Sequence, residues 1–178
     1  MKKELIGCLL TILAVCLLFS LLLLIPVLYL RSLIGENWDY AEAKASTLAL
    51  FERRREEFLE VRDAAVTQRS GKGLDIKGVE SIRYEHLDET QAVDFTVGSQ
   101  GFLDGQYWGL YYVSDDQPLL FQLGPDDGQL EKGPDEGCYY YRGYFRDTDF
   151  YATEKIEDNW YFYYMDTNGN RHGLDWDP

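Results

Sequence analysis

Cysteine is scarce in this sequence, and its placement excludes a domain held together by disulfides. Three cysteines occur in 178 residues. Cys8 and Cys16 lie inside a long apolar stretch, so Cys138 stands alone in the rest of the chain. A single thiol forms neither an intradomain disulfide nor a zinc-type cluster. Each asparagine also lacks a serine or threonine two places on, so no glycosylation site is present. These absences favour a bacterial protein over an animal cell-surface protein.

Catalytic and cofactor motifs are also missing. The two histidines, His86 and His172, do not lie in an H-E-x-x-H or similar metal motif. The sequence has no G-x-S-x-G, no P-loop and no dinucleotide-binding glycine pattern. Asp and Glu are so numerous that no pair of carboxylates stands out as a catalytic acid and base. We therefore expect no catalytic residue, no metal and no cofactor.

Positive charge is in the minority. The chain has 17 Lys and Arg against 31 Asp and Glu, a formal net charge of −14. Residues 1–35 contain Lys2, Lys3 and Arg31 against Glu4, a net charge of +2. Residues 36–178 therefore carry a net charge of about −16. Nucleic acid and anionic headgroups repel such a domain. We therefore expect no nucleic-acid partner.

One long apolar run is the clearest feature that the sequence does contain. Leu5–Leu30 has no charged residue and exceeds the roughly 20 residues that a membrane-spanning helix requires. The apolar core of a cleaved signal peptide is shorter, at about 7–15 residues. The four-residue segments that end at Cys8 and Cys16 imitate a lipobox, but the first lacks a preceding apolar run and the second has Val15 at a small-residue position. We predict that residues 1–35 are an uncleaved, non-lipidated transmembrane signal anchor whose partner is the lipid bilayer.

The charges that flank this run predict its orientation. Lys2, Lys3 and the terminal amine precede it, whereas Arg31 and the more distant Lys44 follow it. Because positive charge is retained on the cytoplasmic side, the N-terminus is expected inside the cell. The rest of the chain then lies outside as the domain of a single-pass cell-membrane protein.

The following segment has the period of a helix. Between residues 38 and 68, apolar residues recur at steps of three and four, which predicts one amphipathic helix. The expected buried stripe consists of Ala41, Ala45, Leu48, Phe51, Phe58 and Ala65. Asp39 is expected to cap the start, and Gly71 and Gly73 to end the helix. The charged run from Glu52 to Glu57 reads as a solvated face with internal ion pairs.

Beyond Gly78 the period changes to two, which predicts strands between residues 79 and 165. The predicted strands are Val79–Glu85, Ala92–Gly98, Gln106–Ser114, Leu119–Leu123, Cys138–Arg146, Phe150–Ile156 and Trp160–Met165. The acidic, glycine-rich segment Gly124–Gly137 is predicted to be a loop. Residues 36–178 are thus expected to form one acidic, aromatic-rich α+β domain. In it, the helix packs on an antiparallel meander of about five to seven strands.

Alternation within Cys138–Arg146 suggests a binding surface. Tyr139, Tyr141 and Phe145 fall on one face of that strand. The other face holds Tyr140, Arg142, Tyr144 and Arg146. If the first face packs on the helix, the second is an aromatic–guanidinium surface that suits a protein or glycan partner. An alternative is that these side chains form ordinary cross-strand ladders.

These features predict a membrane-anchored, non-enzymatic binding or interaction domain on the outer side of a bacterial membrane. A pilin-like structural or assembly subunit is one alternative, because such proteins also run from an apolar helix into an antiparallel sheet. A hydrolase that uses a carboxylate pair is the other.

Overall fold

Two helices and seven strands make up the part of the chain that the computed structural model describes. The described residues are 39–87, 89–100, 105–120, 130–133, 135–142 and 150–167. All neighbouring strands are antiparallel and the helices precede them, which confirms the α+β class. Within these residues neither helix is long and apolar enough to cross a membrane. The predicted anchor Leu5–Leu30 lies outside the described residues.

The predicted helix forms as two pieces. Helix α1 spans Tyr40–Arg53 and helix α2 spans Arg55–Gln68, with Arg54 between them outside helical geometry. Asp39 caps α1 as predicted, since its carboxylate accepts a hydrogen bond from the Ala41 backbone N–H at 2.9 Å. The charged run therefore contains a helix junction and not the continuous helix that its period predicts.

Helix α2 ends at Gln68, which is also the last residue of the predicted helix. Its C-cap is Arg69, which adopts the left-handed conformation (φ 52°), so the predicted stop signals Gly71 and Gly73 are not the residues that end it. The Ser70 N–H then donates to the Ala65 carbonyl, which closes the last turn.

The buried stripe of α1 also differs from the prediction. Ala41 and Ala45 are exposed, while Tyr40, Ala43 and Thr47 are buried together with Leu50 and Phe51. Alanine carries too little apolar area to decide which side of a helix packs, and the aromatic ring of Tyr40 decides it here. On α2 the predicted Phe58 and Ala65 are fully buried.

The seven strands follow the predicted segments except near the acidic loop. Their bounds are β1 Ser81–Leu87, β2 Thr90–Gln100, β3 Gln106–Val113, β4 Glu131–Lys132, β5 Cys138–Arg142, β6 Phe150–Glu157 and β7 Trp160–Asp166. Leu119 and Leu120 lie outside any strand, and strand β4 falls inside the predicted loop.

The strand order departs from one simple meander. The order across the sheet is β1-β2-β3-β7-β6-β5-β4. Two meanders, β1 to β3 and β4 to β7, therefore join through the β3–β7 pair at the middle of the sheet. The connection from β3 to β4 has to cross to the far edge, and this crossing shapes the second face of the sheet.

One face of the sheet packs against both helices. Its core has four aromatic rings at the centre, from Phe51 of α1, Phe58 of α2, Phe95 of β2 and Trp160 of β7. Phe51 and Phe58 lie on either side of the helix junction, yet both rings reach Trp160, at centroid distances of 5.0 and 6.2 Å. This cluster fixes the helical layer on the sheet.

The opposite face is buried as well, which the alternating pattern does not predict. Asp94 and Thr96 share a face of β2 that the sequence marks as polar, but their exposed fractions are only 0 % and 4 %. Their face carries a second core that is mostly tyrosine. Its buried members are Ala92, Tyr111, Val113, Tyr151, Tyr161, Tyr163 and Met165. Tyrosine combines a large apolar area with one polar atom, so it can pack inside a core. The alternation of residue types along a strand therefore predicts one solvent-exposed face here, although both faces of the sheet are packed.

Candidate functional site

The predicted aromatic–guanidinium surface is only partly within the described residues. Tyr140 is 7 % exposed and packs in the helix-facing core, and its hydroxyl donates to a Glu131 carboxylate oxygen at 2.7 Å. Strand register explains this placement, because Tyr140 pairs with Ala152, which also belongs to the helix-facing core. Tyr140 is therefore a packed residue and not part of an open surface.

The other three members of the predicted surface lie outside the described part of the chain. They are the Arg142 side chain, Tyr144 and Arg146. The predicted surface requires the face with Tyr141 to pack on the helix. Tyr141 instead packs against the second core, on the opposite face of the sheet. Exposure of the Arg142, Tyr144 and Arg146 side chains stays a prediction, whereas Tyr140 is buried.

A strap made by residues 114–120 lies over the tyrosine-rich face. It follows β3 and is the described part of the crossing toward β4. The Leu119 N–H donates to the Tyr111 hydroxyl at 3.0 Å, and the Tyr151 hydroxyl donates to the Leu119 carbonyl at 2.9 Å. The Tyr161 hydroxyl donates to the Asp116 carbonyl at 2.9 Å. Tyrosine hydroxyls thus supply the partners that the strap's backbone needs when it leaves the sheet.

The strap is also fixed by one carboxylate. Asp116 adopts a left-handed backbone conformation (φ 55°) that asparagine and aspartate tolerate better than most residues. One carboxylate oxygen accepts from the Asn159 N–H at 2.7 Å, and the other forms an ion pair with Lys155. The hydrogen bond from Lys155 and then that from Asn159 lower the pKa of Asp116.

The tyrosine hydroxyls stay protonated near neutral pH. Burial, and then the charge of Asp116, raises the pKa of Tyr161 to about 12. Burial likewise raises the pKa of Tyr111 and Tyr163. These three hydroxyls therefore keep their protons at physiological pH, and each can donate a hydrogen bond.

Tyr111→Phe tests the strap. The change removes the hydroxyl that accepts from Leu119 and bonds to Thr153 at 2.9 Å, so buried polar groups lose their partner. We expect a loss of about 1–3 kcal/mol in the free energy of unfolding and faster hydrogen exchange at the Leu119 amide. Tyr107→Phe is the matched control, because Tyr107 is half-buried and forms no hydrogen bond through its hydroxyl within the described residues. Equal exchange rates in both variants would refute the role of the hydroxyl.

Two fully buried carboxylates lie in the described residues, and they do not form a pair. Asp94 forms an ion pair with Arg83 at 3.3 Å and accepts from the Thr96 hydroxyl. Asp166 accepts from the Gln106 amide at 3.0 Å. In the strand register Asp94 lies opposite Tyr111, which belongs to the second core. Asp166 lies on the same side of β7 as Tyr164, which belongs to the helix-facing core. The two carboxylates thus lie on opposite faces of the sheet, and a glycosidase-type pair requires a separation of about 5–9.5 Å on one side of a substrate.

Metal-ligating groups do not converge in the described ranges. No three of the His, Cys, Asp and Glu side chains there are arranged to hold a metal ion. His86 lies exposed within strand β1, opposite Gln91. His172 is outside the described residues.

A cleft of about 460 Å³ lies between helix α1 and the end of the sheet. Ser46, Leu50 and Arg53 recur at steps of four and three along α1 and form its helical wall. Glu80, which precedes β1, and Ser99 of β2 contribute to the opposite wall.

The base of the cleft is aromatic. The Trp108 indole lies directly against Gly98, so closely that a Cβ added there would be 2.2 Å from the ring. A β-bulge between Thr96 and Gly98 shifts the strand register so that Gly98 lies opposite Trp108. The glycine therefore permits the Trp108 ring to lie flat under the cleft, next to Leu50 and Val97.

Arg53 differs from the other basic residues of the helical segment, each of which forms an ion pair. Lys44, for example, binds Glu154. Arg54 binds Glu57, Arg55 binds Glu52 and Glu157, and Arg62 binds Asp63. By contrast, Arg53 is exposed and makes no ion pair with any described residue.

Glu80 on the opposite wall is also exposed and forms no ion pair with the described residues. One of its carboxylate oxygens accepts from the Ser99 hydroxyl at 2.6 Å, and no cation of the described residues pairs with it. The cleft thus presents a guanidinium and a carboxylate on opposite walls that do not neutralise each other.

Sequence patterns gave no indication of this cleft. Arg53 lies in a run that reads as a solvated helix face, and Trp108 lies in a strand where an aromatic ring usually belongs to the core. Only the pairing of Arg54 and Arg55 elsewhere distinguishes Arg53 from its neighbours.

Comparison with known proteins adds no functional information. No family model, curated protein or solved structure matches the chain.

Proposed function

We propose that this protein is a membrane-anchored, non-enzymatic binding domain on the outer side of a bacterial membrane. Its anchor is Leu5–Leu30, whose length and lack of charge suit a single membrane span. The net negative charge of the remaining residues keeps the domain soluble beside the headgroups and disfavours nucleic acid as a partner.

The cleft beside Arg53 is the observation that carries the binding role. Its volume of about 460 Å³ falls within the range of small-molecule pockets, roughly 300–1,000 Å³. It combines an aromatic and aliphatic base with a few polar groups on the walls, which is the usual composition of a ligand site. The Arg53 guanidinium forms no ion pair with the described residues, so its charge is free to bind an anionic group of a ligand.

A reporter fused after Pro178 tests the topology that this proposal requires. In a bacterial host, alkaline phosphatase at this position is expected to be active, because it folds only outside the cytoplasm. A cytoplasmic reporter at the same position is expected to be inactive. The protein is also expected to stay in the membrane fraction after alkaline washing, which removes peripheral proteins. Reversed reporter activities, or release by the wash, would refute the proposal.

The described residues give no support to the hydrolase alternative. Asp94 and Asp166, the two fully buried carboxylates among them, lie on opposite faces of the sheet and bind protein groups. Glu80 is the one carboxylate within the cleft lining and has no second carboxylate beside it there. Binding is therefore preferred over hydrolysis.

A further inference from the structure

We infer that the cleft between α1 and the sheet binds a small zwitterionic ligand with an apolar body, of the class of short unblocked peptides. This inference rests on the proposed binding function and names the ligand class of the same site.

The arrangement of charge carries the inference. Arg53 on the helical wall and Glu80 on the opposite wall do not form an ion pair with each other. A ligand that spans the cleft and satisfies both has to present an anionic group to α1 and a cationic group to the sheet. A peptide with free ends has this pair of charges, a carboxylate and an ammonium.

Hydrogen-bonding geometry suits each of these two groups. A guanidinium offers a planar fork of donors that matches a carboxylate in bidentate fashion. The Ser99 hydroxyl holds the Glu80 carboxylate in place through the 2.6 Å hydrogen bond, which leaves the other carboxylate oxygen for an ammonium group.

The lining of the cleft also includes apolar groups. Leu50, Val97 and the Trp108 ring line it together with Arg53 and Glu80, although Leu50 and Trp108 are only 6 % and 5 % exposed. An inorganic anion has no apolar atoms to place against these groups. A peptide with aliphatic side chains covers them while its two ends reach the two walls.

The test uses one dipeptide and its two blocked forms. Leucyl-leucine is titrated into the purified full-length protein in detergent micelles, and the indole N–H resonance of Trp108 is followed by NMR. We expect a saturable shift. N-acetylation removes the cation and C-terminal amidation removes the anion, and each is expected to weaken binding by about tenfold, because each deletes one charge-assisted contact.

Two substitutions assign the contacts to the walls. Arg53→Gln is expected to weaken the free dipeptide about tenfold and to remove its advantage over the amidated form. Glu80→Gln is expected to do the same relative to the acetylated form. Lys72→Gln and Glu60→Gln are matched controls, because both residues are exposed, lie outside the cleft lining and form no side-chain hydrogen bond or ion pair with the described residues. Their affinities are expected to equal that of the parent protein.

The outcomes separate this inference from the proposed function. The absence of a saturable shift, equal affinity for free and blocked dipeptides, or equal losses in the control variants would overturn the inference. None of these results alters the topology reported by the fusions after Pro178. Conversely, dipeptide binding with reversed reporter activities would refute the proposed location and leave the ligand class standing.

Discussion

Replacement of Trp160 by alanine is expected to lower the free energy of unfolding by about 3–5 kcal/mol. The side chain is 2 % exposed and lies where both helices meet the sheet. Its ring contacts those of Phe51, Phe95 and Tyr112 at centroid distances of 5.0, 5.6 and 5.7 Å. Deletion of the ring leaves a cavity among rigid aromatic neighbours that have little freedom to collapse into it. Because small domains have total stabilities of about 5–15 kcal/mol, the variant should be close to unfolding.

Urea denaturation of the purified full-length protein in detergent micelles measures this loss. Leu87→Ala is the control, since Leu87 is 44 % exposed at the edge strand β1. Its expected cost is below about 0.5 kcal/mol. If Trp160→Ala cost no more than Leu87→Ala, the helices would not pack on this face as described.

A methyl group at Gly109 is expected to cost roughly 3 kcal/mol, near the upper end of the usual range for overpacking. Gly109 lies in the central strand β3, opposite Thr96 on one side and Tyr163 on the other. An added Cβ would be 2.2 Å from the Phe95 carbonyl oxygen and 3.0 Å from the Tyr163 ring. The carbonyl belongs to the backbone of the neighbouring strand, so the clash cannot be relieved by a change of rotamer.

Gly73→Asn provides the comparison for Gly109→Ala. Gly73 has a φ of 81°, and a Cβ added there meets no atom within 4 Å. Asparagine tolerates the left-handed region, so we expect a cost of at most about 1 kcal/mol. Thermal denaturation of both variants should therefore show a clearly lower midpoint for Gly109→Ala. Equal midpoints would contradict the close approach of β2 and β3 at this position.

Local sequence signals predict the helices and strands well where their physical cause is local. The Asp39 cap depends on a side chain two residues from its donor, and six of the seven predicted strands overlap observed ones. The break at Arg54 has no such signal, because the residues around it are all compatible with a helix. The β3–β7 pairing joins residues 48 to 60 positions apart, from Tyr112–Trp160 to Gln106–Asp166, and a period of two does not encode which strands pair.

Burial of polar residues on the second face of the sheet could not be predicted from alternation along a single strand. Asp94 and Thr96 read as solvent-facing, yet the second core buries them. A polar residue is buried at little cost when a partner is supplied, and Arg83 supplies it for Asp94. Such partners come from other strands, so no single segment reveals them. The same argument applies to Tyr140, whose hydroxyl is satisfied by Glu131.

The candidate cleft was beyond prediction for a related reason. Arg53, Glu80 and Trp108 are far apart in the sequence and meet only after α1 has packed across the end of the sheet. Arg53 differs from the other basic residues of the two helices in that it pairs with none of the described residues, and pairing is a property of the fold.

Thiol labelling at the cleft tests the central claim, that an outward-facing domain binds a ligand beside α1. Ser46→Cys adds one thiol on the exposed helical wall, and the parent protein, which carries Cys8, Cys16 and the buried Cys138, gives the background labelling. In intact bacterial cells, a membrane-impermeant maleimide is expected to label the variant as fast as in lysed cells. Leucyl-leucine is expected to slow that labelling several-fold. Labelling only after lysis, or no protection at a saturating concentration of dipeptide, would contradict the account.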